Sequence, residues 1–222
     1  MLYGDGLGRI CIGCEDFPYR GRIPEGRRVF LDYDSALGRD VEEAVFASCL
    51  EIMGSGGIPV VSDKDSGPAF EALKCLWKPI VLFSSLGSGK LERKKRKEAG
   101  LVVSSGGAVV YADNQSVSYS RAGVLRCLHI ASSFSDCVLF ASDSRSRRLG
   151  LSHRLICALD EGKDIAVLRS ALSVPALRSL ASEGCPIACT YSDLLSDPAC
   201  IAYRDSNGKY GYRGQCFGII VR

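Results

Sequence analysis

The chain has 222 residues, 46% of them hydrophobic and 24% charged, with a formal net charge of +3 at pH 7. That length suits one large α/β domain, or one domain with a small appendage, and the apolar share suffices for a full core. No apolar stretch approaches a membrane span, and residues 1–5 (MLYGD) have neither the basic start nor the apolar run of an export signal, so a membrane or secreted protein is not expected.

The eleven cysteines, an odd number, fit reduced thiols in a cytoplasmic protein. Cys11 and Cys14 form a lone CxxC. A four-cysteine zinc site would need Cys185 and Cys189 as well, and their spacing is looser than such sites use. Unligated thiols, and no metal or other cofactor, are the expectation.

Residues 1–28 are rich in Gly and Arg with little periodicity and read as an irregular arm with one strand at 9–12. Residues 29–34 (VFLDYD) are an apolar run ending in acids, a buried strand. Asp40 suits a helix N-cap, Val41, Ala44, Val45, Ser48, Cys49 and Ile52 recur at helical spacing, and Gly54, Gly56 and Gly57 end that helix. A strand at 58–61, a polar turn, a short helix at 69–77 and a strand at 80–83 follow. Next come a Gly/Ser loop at 84–89, a basic helix at 90–99 and a strand at 101–103. A further helix ends at Ser135-Asp136. Strand 137–141 leads through an arginine-rich loop, 142–148, to a helix ending at Gly162-Lys163 and a strand at 165–168. Residues 175–182 read as a helix, 186–189 as a short strand and 191–195 as a capped turn. Between 201 and 221 two strand-like runs flank Asp205-Ser206-Asn207-Gly208, and Asn-Gly is a strong hairpin signal.

Alternating strands and helices predict βαβ units with right-handed crossovers. The expected fold is a Rossmann-like three-layer α/β domain with a mostly parallel sheet, plus a small C-terminal β-hairpin. The expected division is an arm at 1–28, the α/β domain at 29–195 and a hairpin extension at 196–222.

Two basic groups carry the chemistry. Residues 87–97 (GSGKLERKKRK) hold six basic residues against one acid. Gly87 and Gly89 permit close backbone approach, and Lys90, Lys94 and Lys97 share one helical face, a pattern suited to tracking phosphates. Gly-Ser-Gly-Lys also ends a P-loop, but the upstream glycine is missing and Leu91 stands where the magnesium-binding hydroxyl belongs. The second group comprises Arg121, Arg126, His129, Arg145, Arg147, Arg148 and Arg154. Arginine grips phosphate bidentately, and in open α/β sheets ligands bind where loops leave the carboxyl ends of strands. The loop 142–148 leaves such an end, so an anion is expected there. Ser35 and Ser144 supply hydroxyls for phosphate oxygens. Phe134 and Tyr119 are expected in the core rather than stacked on bases.

The order and spacing of several short motifs resemble the DNA-processing protein A family (DprA, also called Smf) over residues 29–195. Ile130-Ala131 and Phe134-Ser135-Asp136 match the end of the family's FPxRNRxIAxLSD segment. Gly150 matches the glycine of its SGSxxTA loop, Ala158-Leu159 its helix and Gly162-Lys163 the helix end. Ser35, Leu37 and Gly38 match part of an earlier motif. Val60-Val61-Ser62 with Ala69, Ala72 and Leu73 match another, Gly87-Ser88-Gly89 a third, and residues 180–185 and 191–195 the family's ending. Phe17-Pro18-Tyr19-Arg20 stands where a Tyr-Pro segment precedes the sheet. The chain departs from the pattern in lacking the Gly-Ser-Arg near Asp32-Tyr33-Asp34 and the glycines and histidine after Ser62. It also has only Arg126 and His129 near the Arg-Asn-Arg. The resemblance implies a non-catalytic binder of single-stranded DNA linked to recombination or DNA uptake, a homodimer, and the RecA recombinase as partner. The phosphate-binding set expected from the charge pattern and the resemblance together is Ser35, Gly87, Gly89, Lys90, Lys94, Lys97, Arg121, Arg126, Ser144, Arg145, Arg147 and Arg148. The loss of family motifs leaves two alternatives open, weakened DNA binding or a small nucleotide held through its phosphate in place of DNA.

A rival reading comes from residues 29–37, which resemble the first motif of haloacid-dehalogenase-type phosphatases, hhhDxDxTL. There Asp32 would be the nucleophile and Asp34 the general acid/base, with Mg²⁺ on the phosphate. Acids ending a strand also cap turns, which is the bland explanation.

Overall fold

Short apolar runs bounded by Gly, Ser and Asp alternate with amphipathic runs, and the chain folds as that alternation requires. The computed structural model describes residues 7–33, 39–87, 91–112, 120–141 and 151–168, with 175, 178, 182, 187–188, 201–204 and 210–213. The elements are β1 (Gly8–Ile12), β2 (Glu15–Gly21), β3 (Arg28–Tyr33), α1 (Arg39–Gly54), β4 (Ile58–Ser62), α2 (Gly67–Leu76), β5 (Val81–Ser84) and α3 (Arg93–Ser104). They continue with β6 (Ala108–Tyr111), α4 (Arg121–Phe134), β7 (Cys137–Ala141), α5 (Leu151–Asp160), β8 (Asp164–Leu168), β9 (Ile187–Ala188), β10 (Ile201–Arg204) and β11 (Tyr210–Arg213). No helix among the described residues is long and apolar enough to cross a membrane.

The first nine strands form one sheet in the order β1-β2-β6-β5-β4-β3-β7-β8-β9. The run from β6 to β9 is parallel throughout. Within this sheet only β2 runs against the other strands, pairing antiparallel with β1 on one side and β6 on the other at one edge. The expected three-layer α/β architecture is therefore observed. Side chains alternate across the sheet as strand geometry dictates. Val29, Leu31, Leu82, Val109 and Leu139 face a core shared with α1, α2 and α3. Phe30, Val60, Phe83, Val110, Val138 and Phe140 face a second core shared with α4 and α5. Burying each such side chain contributes about 1.5–3 kcal/mol before chain entropy is set against it. Phe134 belongs to that second core, tilted against Phe83 at 5.4 Å, as expected of a core aromatic.

Three local expectations are corrected. Leu101-Val102-Val103 is helical rather than a strand: it completes α3, with Val102 buried a turn after Ala99. A short apolar run looks the same to either period, and the strand is the next run, Ala108–Tyr111. Asp40 is not the cap of α1, which already begins at Arg39. Residues 8–21 of the supposedly irregular arm form a hairpin whose β2 continues the sheet beside β6. Its turn is Gly13-Cys14, with φ of 56° and 69°, the two left-handed residues a tight hairpin with native strand twist needs. Cys11 and Cys14 are exposed free thiols. Cys185 and Cys189 lie outside the described residues. At the other terminus β10 and β11 pair antiparallel, as the hairpin signal predicts.

Ion pairs stitch the amino ends of the central strands. Arg28 donates to Asp136 from its backbone N (2.8 Å), Nε (3.2 Å) and a guanidinium NH₂ (2.7 Å), and its guanidinium lies 4.6 Å from the centre of the Phe134 ring. Arg27 pairs with Asp164 beside it. Burial tends to raise the Asp136 pKa, but the hydrogen bonds and charge of Arg28, helped by Lys163, outweigh it and the net shift is downward. A lowered folded-state pKa stabilises the fold above the ordinary carboxylate value of about 3.9 and ceases to do so as pH falls through the folded value. Asp136→Asn is therefore expected to lower the melting temperature at pH 7, with the gap to the parent closing as pH falls below the ordinary carboxylate range. A pH series of thermal melts checks this; a gap independent of pH would contradict it.

Candidate functional site

The parallel strands all end at one rim. At its centre the topology reverses: from β3 the chain moves outward through β4, β5 and β6, then returns over the other face through α4 to β7 on the far side of β3. Crevices at such reversals are where open α/β sheets bind ligands. The side chains at the ends of β3, β4 and β5 therefore decide what this rim can hold.

Asp32, near the end of β3, is 0% exposed and takes a bidentate grip from Arg154 of α5, itself 2% exposed. Arg154 Nε donates to Oδ2 at 2.6 Å and a guanidinium NH₂ to Oδ1 at 3.0 Å. This pair overturns two readings. Arg154 is not a surface cation available to a ligand, and Asp32 is not an exposed nucleophile. A phosphatase nucleophile must reach a phosphorus atom, whereas both Asp32 oxygens are sealed against a guanidinium. Asp34 lies outside the described residues.

Asp63 follows the last residue of β4 and is buried. Its carboxylate accepts from Ser84 Oγ (3.0 Å), Ser85 N (3.2 Å) and Ser85 Oγ (3.2 Å), all at the end of β5. Its backbone oxygen accepts from Lys95 Nζ of α3. Burial raises the Asp63 pKa; the Lys95 charge, the Ser85 N–H and the two hydroxyls counter it without cancelling it. The α4 terminus closes on the same loop: Ser120 caps α4 by accepting from Gly123 N at 2.9 Å. A Cβ at position 123 would crowd Ser120 Oγ at 3.0 Å and reach Ser85 O at 3.5 Å, so glycine suits that close approach.

The predicted basic residues divide between the two faces of the sheet. Lys94 and Lys97 are exposed on α3, which covers the face shared with α1 and α2. Arg121 is exposed at the first position of α4, on the opposite face. Arg126, also on α4, donates to Glu15 at 2.6 Å and stands 5.7 Å from the centre of the Phe17 ring, so it also holds the amino-terminal hairpin. Gly87 is buried at the end of the β5 loop. Ser35, Gly89, Lys90, Ser144, Arg145, Arg147 and Arg148, with Tyr119, lie outside the described residues. α3 follows the rim end of β5, and Ala141, the last residue of β7, lies at the same rim. Those strand ends are three strand spacings apart, about 14 Å.

The start of α3 differs from its prediction in a way that matters. The helix begins at Arg93, not at residue 90, so Arg93, Lys94, Lys95, Arg96 and Lys97 fill its first turns with no acid in the first turn. Positive charge there opposes the helix dipole. Two of the five are engaged within the fold: Lys95 with Asp63 and Glu98, and Arg96 through Nε with Leu91 O at 2.7 Å. Sequence reading passed over Asp63 and Ser85, and took Ser84 only as a candidate later motif of the phosphatase alternative. The available signal was an acid directly after one buried strand and two serines directly after the next.

No family model and no curated protein matches the sequence. Solved structures match its fold. DNA processing protein A of Streptococcus pneumoniae superposes with a TM-score of 0.64 at 16% identity, covering 82% of this chain and 65% of that one. The chain thus spans just under two thirds of the pneumococcal chain. DNA processing protein A of Helicobacter pylori, described with a single-stranded DNA binding mode, also gives 0.64, at 12% identity over 82% of this chain and 86% of that one. A molybdenum cofactor binding protein of Rippkaea orientalis gives 0.52 at 14% identity over 78% and 94%. At these identities the likeness is one of fold: the chain has a DprA-like Rossmann core.

Proposed function

We propose that this chain is a diverged DprA-like protein that binds single-stranded DNA without catalysis, through the basic start of α3 and the neighbouring rim. The carrying observation is that α3 sets five positive charges in its first turns, against its own dipole, where the chain leaves the rim. A solvated helix face gains nothing from that placement; a polyanion lying across it does. The DprA-like fold supports the reading, and the H. pylori structure's description with a single-stranded DNA binding mode supplies the ligand class.

In this reading Lys94, Lys97 and Arg121 contact phosphates, joined by the loop residues Ser35, Gly89, Lys90, Ser144, Arg145, Arg147 and Arg148. Gly87 shapes the loop from within, and Arg126 divides its charge between the strand and Glu15. A homodimer, a RecA-type recombinase partner, a cytoplasmic setting and a role in recombination or DNA uptake complete the proposal.

A fluorescent oligo-dT titrated across a salt series tests it. Seven cations, each on one phosphate, predict log K falling against log salt with a slope of roughly −5. No binding at low salt would end the proposal. A second reading, a small phosphate-bearing ligand at the rim, is favoured by the fold likeness to a molybdenum cofactor binding protein. Its binding would compete with oligo-dT and show a much flatter salt dependence.

A further inference from the structure

We propose that the end of β4 is a small-oxyanion site that the protein fills with its own Asp63 carboxylate, closing that strand end to phosphate groups and leaving a polyanion to the basic start of α3 and the rest of the rim. The last part rests on the DNA reading; the site itself does not.

The donor set is that of an oxyanion receptor. Two hydroxyls and one backbone N–H converge on one carboxylate: Ser84 Oγ at 3.0 Å, Ser85 N at 3.2 Å and Ser85 Oγ at 3.2 Å. Ser84 and Ser85 are 1% and 3% exposed, so the donors are aimed inward rather than solvated. Lys95 lies beside the site, its charge shared between the Asp63 carbonyl and Glu98. A backbone N–H and hydroxyls converging on one point suit an oxyanion, although the single Ser84 proton also lies within reach of the Leu86 carbonyl at 3.1 Å. Here the occupant arrives covalently, on the residue following β4. The adjacent strand repeats the arrangement: the guanidinium fork of Arg154, suited to a phosphate, holds Asp32 instead. Two neighbouring strands at the topological reversal thus each present a carboxylate to donors that would otherwise receive a ligand's oxygens.

The prediction is that removing the Asp63 side chain turns an internal contact into a binding site. The full chain carrying Asp63→Ala is compared with the parent by thermal shift and calorimetric titration, using sodium formate and inorganic phosphate, with sodium chloride at matched ionic strength. Asp63→Ala is expected to melt lower than the parent and to recover saturably with millimolar formate, while the parent responds to neither anion beyond the chloride control. Adding Ser85→Ala is expected to abolish the recovery. A folded Asp63→Ala protein indifferent to both anions overturns the assignment, as does a parent that responds equally. Should Asp63→Ala not fold, amide hydrogen exchange at Ser85 in the parent decides. Exchange unchanged by phosphate supports the assignment, and phosphate-dependent slowing overturns it. Oligo-dT binding by the parent is read separately, so formate recovery without DNA binding leaves the Asp63 site standing and removes the DNA reading.

Discussion

Replacing Arg154 with leucine is expected to destabilise the protein by about 3–5 kcal/mol, because it strips the Asp32 carboxylate of its bidentate partner inside the second core. For a chain of this length that is a fall in melting temperature of roughly 10 °C. The magnitude reflects asymmetry rather than the strength of the pair. Moving both charges out of water costs several kcal/mol each, and their attraction offsets this only while both are present. The double replacement Asp32→Leu with Arg154→Leu is therefore expected to recover most of the loss. Urea denaturation of the four proteins in the cycle measures the coupling directly. If Arg154→Leu cost less than about 1 kcal/mol, the carboxylate would have to be hydrated or protonated, and the rim would be open where the structure has it sealed. Asp32 would then regain its standing as a candidate nucleophile.

The second large effect concerns binding. Lys94→Glu combined with Lys97→Glu changes the charge at the start of α3 by four units, and oligo-dT affinity at low salt is expected to fall roughly 100-fold, with the salt slope about two units flatter. The fold is expected to survive, since both side chains are exposed and glutamate near a helix amino terminus is favoured by the dipole that lysine opposes. Melting temperature should hold or rise while affinity collapses. Arg39→Glu with Lys74→Glu, on α1 and α2, is a control of equal charge change and is expected to weaken binding only slightly. Equal losses from both pairs would mean that net charge, not a site on α3, governs the interaction.

The layered architecture was legible in the sequence because strand and helix periods differ and the runs are long enough to show it. Residues 137–141 and 58–61 read as strands because short apolar runs between polar turns leave little choice. Leu101-Val102-Val103 misled because three residues cannot display a period; only the pairing of Ala108–Tyr111 with β5 decides which run is the strand. The amino-terminal hairpin escaped because its residues are only partly buried and its turn uses Gly13-Cys14 rather than Asn-Gly.

By itself the amino-acid sequence determined the α/β class, the mostly parallel sheet and the concentration of positive charge between residues 90 and 97, because periodicity and composition are local properties of a chain. Tertiary structure alone decided which charges remain available. Arg154 meets Asp32 across 122 residues, Arg126 meets Glu15 across 111, and Lys95 meets Asp63 across 32. Each cation looked alike in one dimension. What separates a ligand-facing lysine from a buried counter-ion is the distance to a carboxylate elsewhere in the chain, and only folding sets that distance.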